Sequence, residues 1–261
     1  MRILPPVLIC LLAFPTLGCV SATRQARAQA RVDLGVAYLR EGTSELAIAT
    51  LREATELDPR NVDAWDRLGL ALMSRGAHEE SEQAFQRALD LAPESASVNL
   101  DYSYLLLNLD RPEDAVVALT RALSDLTYRN PARILNNLGY AEFIVGQYDN
   151  AVAHLSEAVA RSANYCDAWY NLGLAQEATG SNEAAIESFD RVVMLCPQQA
   201  DGSYIKAAEL FIHEGNLSDG LHYLQQACSR NPGSQLARAA ADRMRDLGET
   251  CVLGPTPRVG Q

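Results

Sequence analysis

The groups that could do acid–base, nucleophilic or metal chemistry in this sequence are few and scattered. The four histidines are His78, His154, His213 and His222, and none has a second ligand at metal-site spacing or a nucleophile close by in sequence. The sequence also has no glycine-rich phosphate loop. It therefore predicts no catalytic residue, no metal site and no cofactor, and it indicates a protein that is not an enzyme.

The charge balance limits the kinds of partner. The 261 residues include 22 basic and 33 acidic side chains, which gives a formal net charge of −11 at pH 7. An acidic surface repels polynucleotides and anionic lipid headgroups, so we expect no nucleic-acid binding and no direct contact with lipid headgroups apart from any anchor. We also expect no small-molecule substrate. A basic protein partner is permitted, although the same charge could serve only to keep the chain soluble.

An internal repeat in the sequence predicts the helices that would carry any binding function. A Leu-Gly pair is followed by a small residue, a large residue and a proline, and the pattern returns after 34 residues. Breaks such as Gly42 divide each unit into two helices, which can approach closely where the residues are small. One unit cannot bury its apolar face alone, so the units must stack. The Leu-Gly pairs are Leu34-Gly35, Leu68-Gly69, Leu138-Gly139 and Leu172-Gly173.

These residues resemble the tetratricopeptide repeat, and two segments match its first half closely: Trp65 to Gly69 and Trp169 to Gly173. The resemblance implies an all-α, right-handed superhelical solenoid of six repeats with a C-terminal capping helix. The third repeat is degenerate, with Tyr102-Ser103 at the Leu-Gly position, and the sixth has Lys206-Ala207 there. The predicted domain is 28–250, with repeats at 28–61, 62–95, 96–129, 132–165, 166–199 and 200–233, a cap at 234–247 and a flexible tail at 251–261.

The same resemblance implies that the first helices of successive repeats line a groove that binds a protein partner. An apolar groove of this kind is suited to an amphipathic helix or an extended peptide, and asparagines on it could pair with peptide backbone. The alternative is that these asparagines and tyrosines only pack on neighbouring helices. The register places the following residues in the groove: Val32, Val36, Leu39, Asp66, Leu70, Met73, Leu100, Tyr104, Leu107, Asn136, Asn137, Tyr140, Phe143, Tyr170, Asn171, Leu174, Tyr204, Ala208 and Phe211.

Four cysteines lie in the C-terminal half: Cys166, Cys196, Cys228 and Cys251. In an oxidising compartment an even number suggests disulfides, with three possible pairings, and free thiols remain the alternative. Cys166 begins the first helix of the fifth repeat and Cys196 ends its second, so antiparallel helices bring them together. Cys228 with Cys251 then follows by elimination, if the chain folds back after the cap.

The N-terminus has the composition of an export signal. Residues 1–18 carry one basic residue, Arg2, and an apolar run that is too short and too rich in proline to span a membrane. Thr16-Leu17-Gly18-Cys19 resembles a bacterial lipobox, which implies cleavage before Cys19 and lipid, including palmitate, on that residue. An ordinary secretory signal is the alternative. Residues 19–27 would form a lipidated tether, and Val20 after the cysteine points to the outer membrane, facing the periplasm.

The combination of lipobox, six repeats, total length and a lengthened turn at 126–133 resembles the PilF/PilW family of type IV pilus biogenesis lipoproteins, which includes Tgl. This resemblance implies a pilotin, which binds the secretin subunit of the pilus pore and promotes its outer-membrane targeting, stability and multimerisation for pilus assembly and twitching-type motility. The four cysteines are not part of that family pattern. Alternative functions are a periplasmic scaffold for cell-wall enzymes and a regulator of an envelope enzyme.

Overall fold

The computed structural model describes residues 16–252, and their side chains from residue 22 onward. The predicted signal segment lies almost wholly outside this range, as do residues 253–261 of the predicted tail. Within it the chain is helical without strands. The helices are α1 (Thr16–Arg40), α2 (Ser44–Leu57), α3 (Val62–Ser74), α4 (His78–Leu91), α5 (Ala96–Asn108), α6 (Pro112–Ala122), α7 (Pro131–Ile144), α8 (Tyr148–Arg161), α9 (Cys166–Ala178), α10 (Asn182–Leu195), α11 (Asp201–His213), α12 (Leu217–Arg230) and α13 (Gln235–Asp246), with a short 3-10 turn at Pro197–Gln199.

Six helix pairs followed by one further helix confirm the predicted fold class for the described residues. Each pair turns through one residue with positive φ, which lies two residues after the last residue of its first helix. Five of these residues are glycines, and Asp110, with φ 57°, takes the position in the third pair. The turn is closed in the same way each time; in the second pair the amide of Ala77 donates to the carbonyl oxygen of Leu72. This reversal places the two helices antiparallel.

The Leu-Gly positions explain how closely the helices of a pair pack. Gly69 lies against the ring of Phe85, and a methyl group on it would be 2.9 Å from ring carbons. Gly173 stands in the same relation to Phe189 at 2.6 Å. Both phenylalanines are fully buried. In the sixth pair the arrangement is reversed, because the glycine, Gly220, lies on the second helix.

The chain divides into two compact units, residues 1–105 and 106–261. In the first unit, Leu51 and Leu72 belong to a core cluster between α1–α2 and α3–α4. In the second unit, Leu155 and Leu172 lie in the corresponding cluster between the fourth and fifth pairs. The last helix, α13, closes the sixth pair through Met244, which packs with Leu224.

The N-terminal helix is longer than the repeat requires. α1 begins at Thr16, so residues 19–27, predicted as a tether, lie within a helix that continues into the first repeat. They lack an apolar period, but alanine, arginine and glutamine between residues 22 and 31 are strong helix formers. The lipid predicted on Cys19 would therefore attach near the start of this helix.

Candidate protein-binding surfaces

The first helices of successive pairs form one layer in each unit. In the first unit α1 contacts α3, and in the second unit α7 contacts α9 and α11 contacts α13. In the first unit, α2 contacts both α1 and α3, and in the second unit α8, α10 and α12 likewise contact the helix before and the helix after. We call the surface of the first helices that the second helices leave uncovered the first-helix face of that unit.

On the first-helix face of the first unit lies a set of half-buried apolar side chains. Val36, Leu70 and Tyr104 occupy the same position in the first three repeats. Leu39 and Met73 share a second position, three residues later, in the first two repeats. Residues three apart on one helix are neighbours, so the set is continuous along each helix. We call these five residues the apolar row; all five are among the residues that the sequence predicts for the groove.

Three apolar residues of the predicted groove are buried instead. Val32 is 1% exposed and packs against Ala54 and Ala64 in the core between the first two pairs. Leu100 is 1% exposed and Ala208 is fully buried. These side chains contribute to packing and cannot contact a partner, so their assignment to the groove is corrected.

Beside the apolar row, three carboxylates lie close to one guanidinium. The Nε of Arg67 lies 3.0 Å from Oδ1 of Asp63, and one of its terminal nitrogens lies 3.4 Å from Oδ2 of Asp101 and 3.6 Å from Oδ2 of Asp66. Asp33 holds the position of Arg67 one repeat earlier and accepts a hydrogen bond from Gln29. We call Asp33, Asp63, Asp66 and Asp101 the acidic row. Only Asp66 of these four is among the residues predicted for the groove, although the 34-residue spacing of Asp33, Arg67 and Asp101 is visible in the sequence.

The pKa of Asp66, a member of the acidic row, is raised by its surroundings. Its side chain is 2% exposed, and its Oδ1 has no hydrogen-bond partner. The pKa of this carboxyl is raised from 3.8 to about 7. Burial is the largest cause and the negative charge of Asp101 adds to it, while Arg67 opposes both. A carboxylate in this position is unfavourable for the folded state at neutral pH.

The first-helix face of the second unit carries aromatic and aliphatic side chains. Tyr140 is 38% exposed, and Phe143, Tyr170 and Leu174 are half-buried, so these predicted groove residues are at the surface. Ile144, one turn after Tyr140 on α7, is 47% exposed and was not predicted. Its position follows from the same helical spacing. The remaining predicted groove residues of this unit, Leu107, Tyr204 and Phe211, are also half-buried.

The predicted asparagines form a chain of hydrogen bonds among themselves. The amide nitrogen of Asn171 donates to Oδ1 of Asn136 at 3.0 Å, and the amide nitrogen of Asn136 donates to Oδ1 of Asn137 at 3.0 Å. Asn136 and Asn137 are buried, and the amide nitrogen of Asn137 has no partner. Two of the three predicted peptide-pairing side chains are therefore engaged inside the protein and would reach a partner only after rearrangement.

Two disulfides lie in the second unit and pair the cysteines as the sequence analysis favoured. Cys166 is bonded to Cys196, which ties the start of α9 to the end of α10, with Cα atoms 6.3 Å apart. Cys228 is bonded to Cys251, which brings the chain after α13 back to α12. The backbone of Val252 also exchanges two hydrogen bonds with the Gln225 side chain. The first two residues of the predicted tail are thus held in place.

Two of the four histidines in the described chain lie beside glutamates. Nδ1 of His154 lies 2.7 Å from Oε2 of the buried Glu142 and joins α8 to α7. His213 is exposed beside Glu214 at the end of α11. Residues 16–252 contain no group of three or more potential metal ligands. Among the same residues, none of the helices has the length and apolar character needed to cross a membrane.

Comparison with family models gives two matches. The model described as "Cytochrome c-type biogenesis protein H TPR domain" covers residues 22–161, and a tetratricopeptide repeat model covers residues 145–202. The first match spans more than half of the chain. Both matches lie within the helix pairs described above.

Among curated proteins, the chain is 31% identical over 142 residues to "Type IV pilus assembly protein PilF" of Pseudomonas aeruginosa, an alignment that covers 51% of this chain and 56% of that protein. It is 27% identical over 192 residues to "RNA polymerase-associated protein CTR9" of Caenorhabditis elegans, covering 69% of this chain and 16% of that protein. The chain thus spans little more than half the length of the first relative and much less of the second.

Two solved structures extend the similarity over most of the chain. PilW, described as a widely conserved type IV pilus biogenesis factor, superposes with a TM-score of 0.74 at 22% identity, over 81% of this chain and 97% of that one. PilF of Pseudomonas aeruginosa superposes with a TM-score of 0.73 at 21% identity, over 85% and 99%. These likenesses confirm the repeat fold, and together with the sequence match they confirm the resemblance to PilF/PilW-type repeat proteins.

Proposed function

This chain belongs to the tetratricopeptide repeat family whose model is that of cytochrome c-type biogenesis protein H, and from its similarity to the type IV pilus proteins PilF and PilW we propose that it is a protein-binding factor in type IV pilus biogenesis. The observation that carries the proposal is the apolar row, in which Val36, Leu39, Leu70, Met73 and Tyr104 remain half-exposed although the helices around them are closely packed. A row of such side chains can bury an apolar segment of another protein.

The repeat-protein relatives point to a non-enzymatic protein, and a binding role needs no reacting group. Half-buried leucine and methionine side chains gain about 25 cal/mol for each Å² of apolar surface that a partner covers. The backbone of the helices that carry them is already ordered, so that little further entropy is lost when a partner binds. Recognition by a pre-formed row is thus sufficient to hold a second protein.

The specific role that we propose is that of a pilotin. Its N-terminal cysteine, Cys19, would carry lipid and hold the protein on the periplasmic side of the outer membrane. Several acyl chains make such an anchor effectively permanent, since each buried methylene contributes about 0.8 kcal/mol. The anchored protein would bind secretin subunits, raise their concentration at the membrane and shield their apolar surfaces until they multimerise.

The test is the amount of heat-resistant secretin multimer in membranes of cells that lack this protein. We expect the multimer to disappear in these cells, to return with the wild-type gene, and to be reduced or found in the wrong membrane with Cys19→Ala. Undiminished multimer in the deletion strain would overturn the pilotin function. Full rescue by Cys19→Ala, with the variant in the soluble fraction, would overturn the anchoring.

A further inference from the structure

The negative charge of the chain is unevenly distributed along the first unit. Residues 20–32 carry three arginines, Arg24, Arg27 and Arg31, and no acidic side chain, whereas residues 33–105 carry six arginines and fourteen acidic side chains. The net charge of the whole chain is the reason to expect no contact with anionic lipid headgroups. That reason does not hold for a segment whose own charge is positive.

The three arginines lie on one side of α1. Spacings of three and four residues bring them to the same face of the helix. Arg31 forms an ion pair with Glu53 on α2, in which Nε lies 3.0 Å from Oε2. Arg24 and Arg27 are exposed, and no carboxylate of the described chain forms an ion pair with either of them. Two positive charges at the N-terminal end of the first unit are therefore available to a group outside the chain.

This part of α1 is not covered by the rest of the described chain. Every side chain from Ala22 to Arg27 is exposed, and the first buried residue is Ala28. The first turn of α1 contains no acidic residue. Negative side chains near the N-terminus of a helix stabilise its dipole, and positive ones do not, so helix stability does not explain a basic segment here.

We propose, on the basis of the lipid anchor in the function proposed above, that Arg24 and Arg27 contact the anionic phospholipid headgroups of the membrane that holds the anchor. α1 runs without a break from the predicted attachment residue, Cys19, through both arginines into the first repeat. At about 1.5 Å per residue, the two arginines lie about 8 and 12 Å from Cys19 along the helix axis. The Debye length at physiological salt is about 8 Å, so the charge of the bilayer surface acts on both.

The position beside the anchor favours a membrane over an acidic protein as the partner of these arginines. Attachment at Cys19 keeps both of them near the bilayer surface at all times, whereas an acidic protein would match only their charge. The N-terminal end of α1 points toward the attachment residue, so the positive end of the helix dipole also faces the headgroups.

The consequence of this contact is a restricted orientation of the first repeat. A lipid chain alone leaves the protein free to tilt about its attachment point. Each arginine held at an anionic surface favours contact about fivefold, so the two together favour it about 30-fold. Because α1 continues into the first repeat, the contact would also hold the apolar row at a fixed height above the membrane.

The test measures energy transfer from Trp65 to dansyl-labelled headgroups in vesicles that carry the lipidated protein purified from membranes. Trp65 begins the second turn region of α3 beside Ala64, which packs with Val32 of α1, so it reports on the end of the unit from which α1 extends. Trp169→Phe removes the other of the two tryptophans. We expect more transfer in vesicles that contain phosphatidylglycerol than in vesicles of phosphatidylcholine alone, with the difference lost at high salt. Equal transfer in the two kinds of vesicle would overturn the proposal.

A matched pair of variants assigns the difference to the two arginines. Arg24→Gln combined with Arg27→Gln should abolish it. The control, Arg40→Gln combined with Arg75→Gln, makes the same change in charge at the opposite ends of α1 and α3 and should keep the difference. All four of these side chains are exposed, so we expect both variants to fold. A difference that survives in the first variant would overturn the proposal.

This result can be separated from the pilus experiment. Transfer that depends on the two arginines, together with undiminished secretin multimers in the deletion strain, would leave the membrane contact standing while the pilotin function fails. Loss of multimers in the deletion strain, together with equal transfer in the two kinds of vesicle, would do the reverse. Equal transfer together with loss of multimers in cells that carry Arg24→Gln and Arg27→Gln would assign the arginines to an acidic protein instead of the membrane. Absence of the wild-type protein from the membrane fraction would overturn the contact together with the anchor on which it rests.

Discussion

Gly139 on α7 and Leu155 on α8 fit together so closely that a methyl group added to Gly139 would lie 2.5 Å from Cγ of Leu155. Leu155 is fully buried in the core between the fourth and fifth pairs, so it has little room to move. The same relation holds between Gly35 and Leu51 in the first pair. The glycine of the Leu-Gly pair is therefore required by helix packing.

We predict that Gly139→Ala destabilises the chain by about 1–3 kcal/mol, because overpacking outweighs the gain of up to about 1 kcal/mol in helix propensity. Chemical denaturation of wild type and variant measures the difference. Gly233→Ala is the control, since its added methyl would meet nothing within 4 Å, and it should change stability by less than about 0.5 kcal/mol. Equal effects of the two substitutions would contradict the packing argument.

The 34-residue periodicity was sufficient to predict the helix pairs of the described chain, because small and large residues recur at the positions where paired helices touch. It was not sufficient to separate surface from core on the first helices. Val32 follows the register of the groove, but α2 and α3 close over it through Ala54 and Ala64. Which side chain is covered depends on the angle between neighbouring helices, and the repeat pattern does not contain that angle.

The acidic row was missed for a different reason. The repeats are recognised by their apolar and small residues. Asp33, Arg67 and Asp101 occupy a repeat position at which the pattern does not require any particular residue type. Their equal spacing was visible in the sequence, but the burial of Asp66 was not. Burial decides whether a carboxyl is an ordinary surface charge or a group with a raised pKa.

The disulfide between Cys166 and Cys196 closes one helix pair over a sequence separation of 30. We predict that Cys166→Ala with Cys196→Ala lowers the free energy of unfolding by about 3–4 kcal/mol, chiefly because the unfolded chain gains freedom. Urea denaturation under oxidising conditions measures this loss. Hydrogen exchange should become faster in α9 and α10 before it does in α3 and α4.

The control for this prediction is the reducing agent. Dithiothreitol should lower the denaturation midpoint of the wild type. It should not change the midpoint of a variant in which all four cysteines, Cys166, Cys196, Cys228 and Cys251, are replaced by alanine. If reduction leaves the wild-type midpoint where it was, the two bonds do not stabilise the protein.

Asp66 should make stability fall as pH rises toward neutrality. Its folded pKa is about 7 and its ordinary value is 3.8, so the folded state binds the proton more tightly than the unfolded state does. The stabilisation of the folded state by protonated Asp66 is fully present below about pH 4 and is lost as pH rises through 7. The free energy of unfolding should fall by at most about 4 kcal/mol over this range. We predict that Asp66→Asn is more stable than wild type at pH 8, and that this difference narrows and then reverses toward pH 4.

Denaturant titrations between pH 4 and 8 measure the slope for each protein. Asp90→Asn is the matched control, because Asp90 is a surface carboxylate with a side chain 68% exposed, and its replacement should leave the slope as in wild type. Parallel curves for wild type and Asp66→Asn would show that the carboxyl of Asp66 titrates at its ordinary pKa.

The apolar row can be separated from general stability by two matched substitutions in the first unit. Leu70 is half-buried in the row, whereas Leu46 is 52% exposed on α2, outside it. We predict that Leu70→Glu reduces heat-resistant secretin multimer about tenfold, since a carboxylate in the row opposes burial by an apolar partner segment. Leu46→Glu should leave the multimer at the wild-type level.

Circular dichroism melts of both variants show whether they are folded at the growth temperature. A folded Leu70→Glu protein with full multimer would place the binding surface elsewhere on the molecule, and the exposed Tyr140 and Ile144 of the second unit would be the next residues to change.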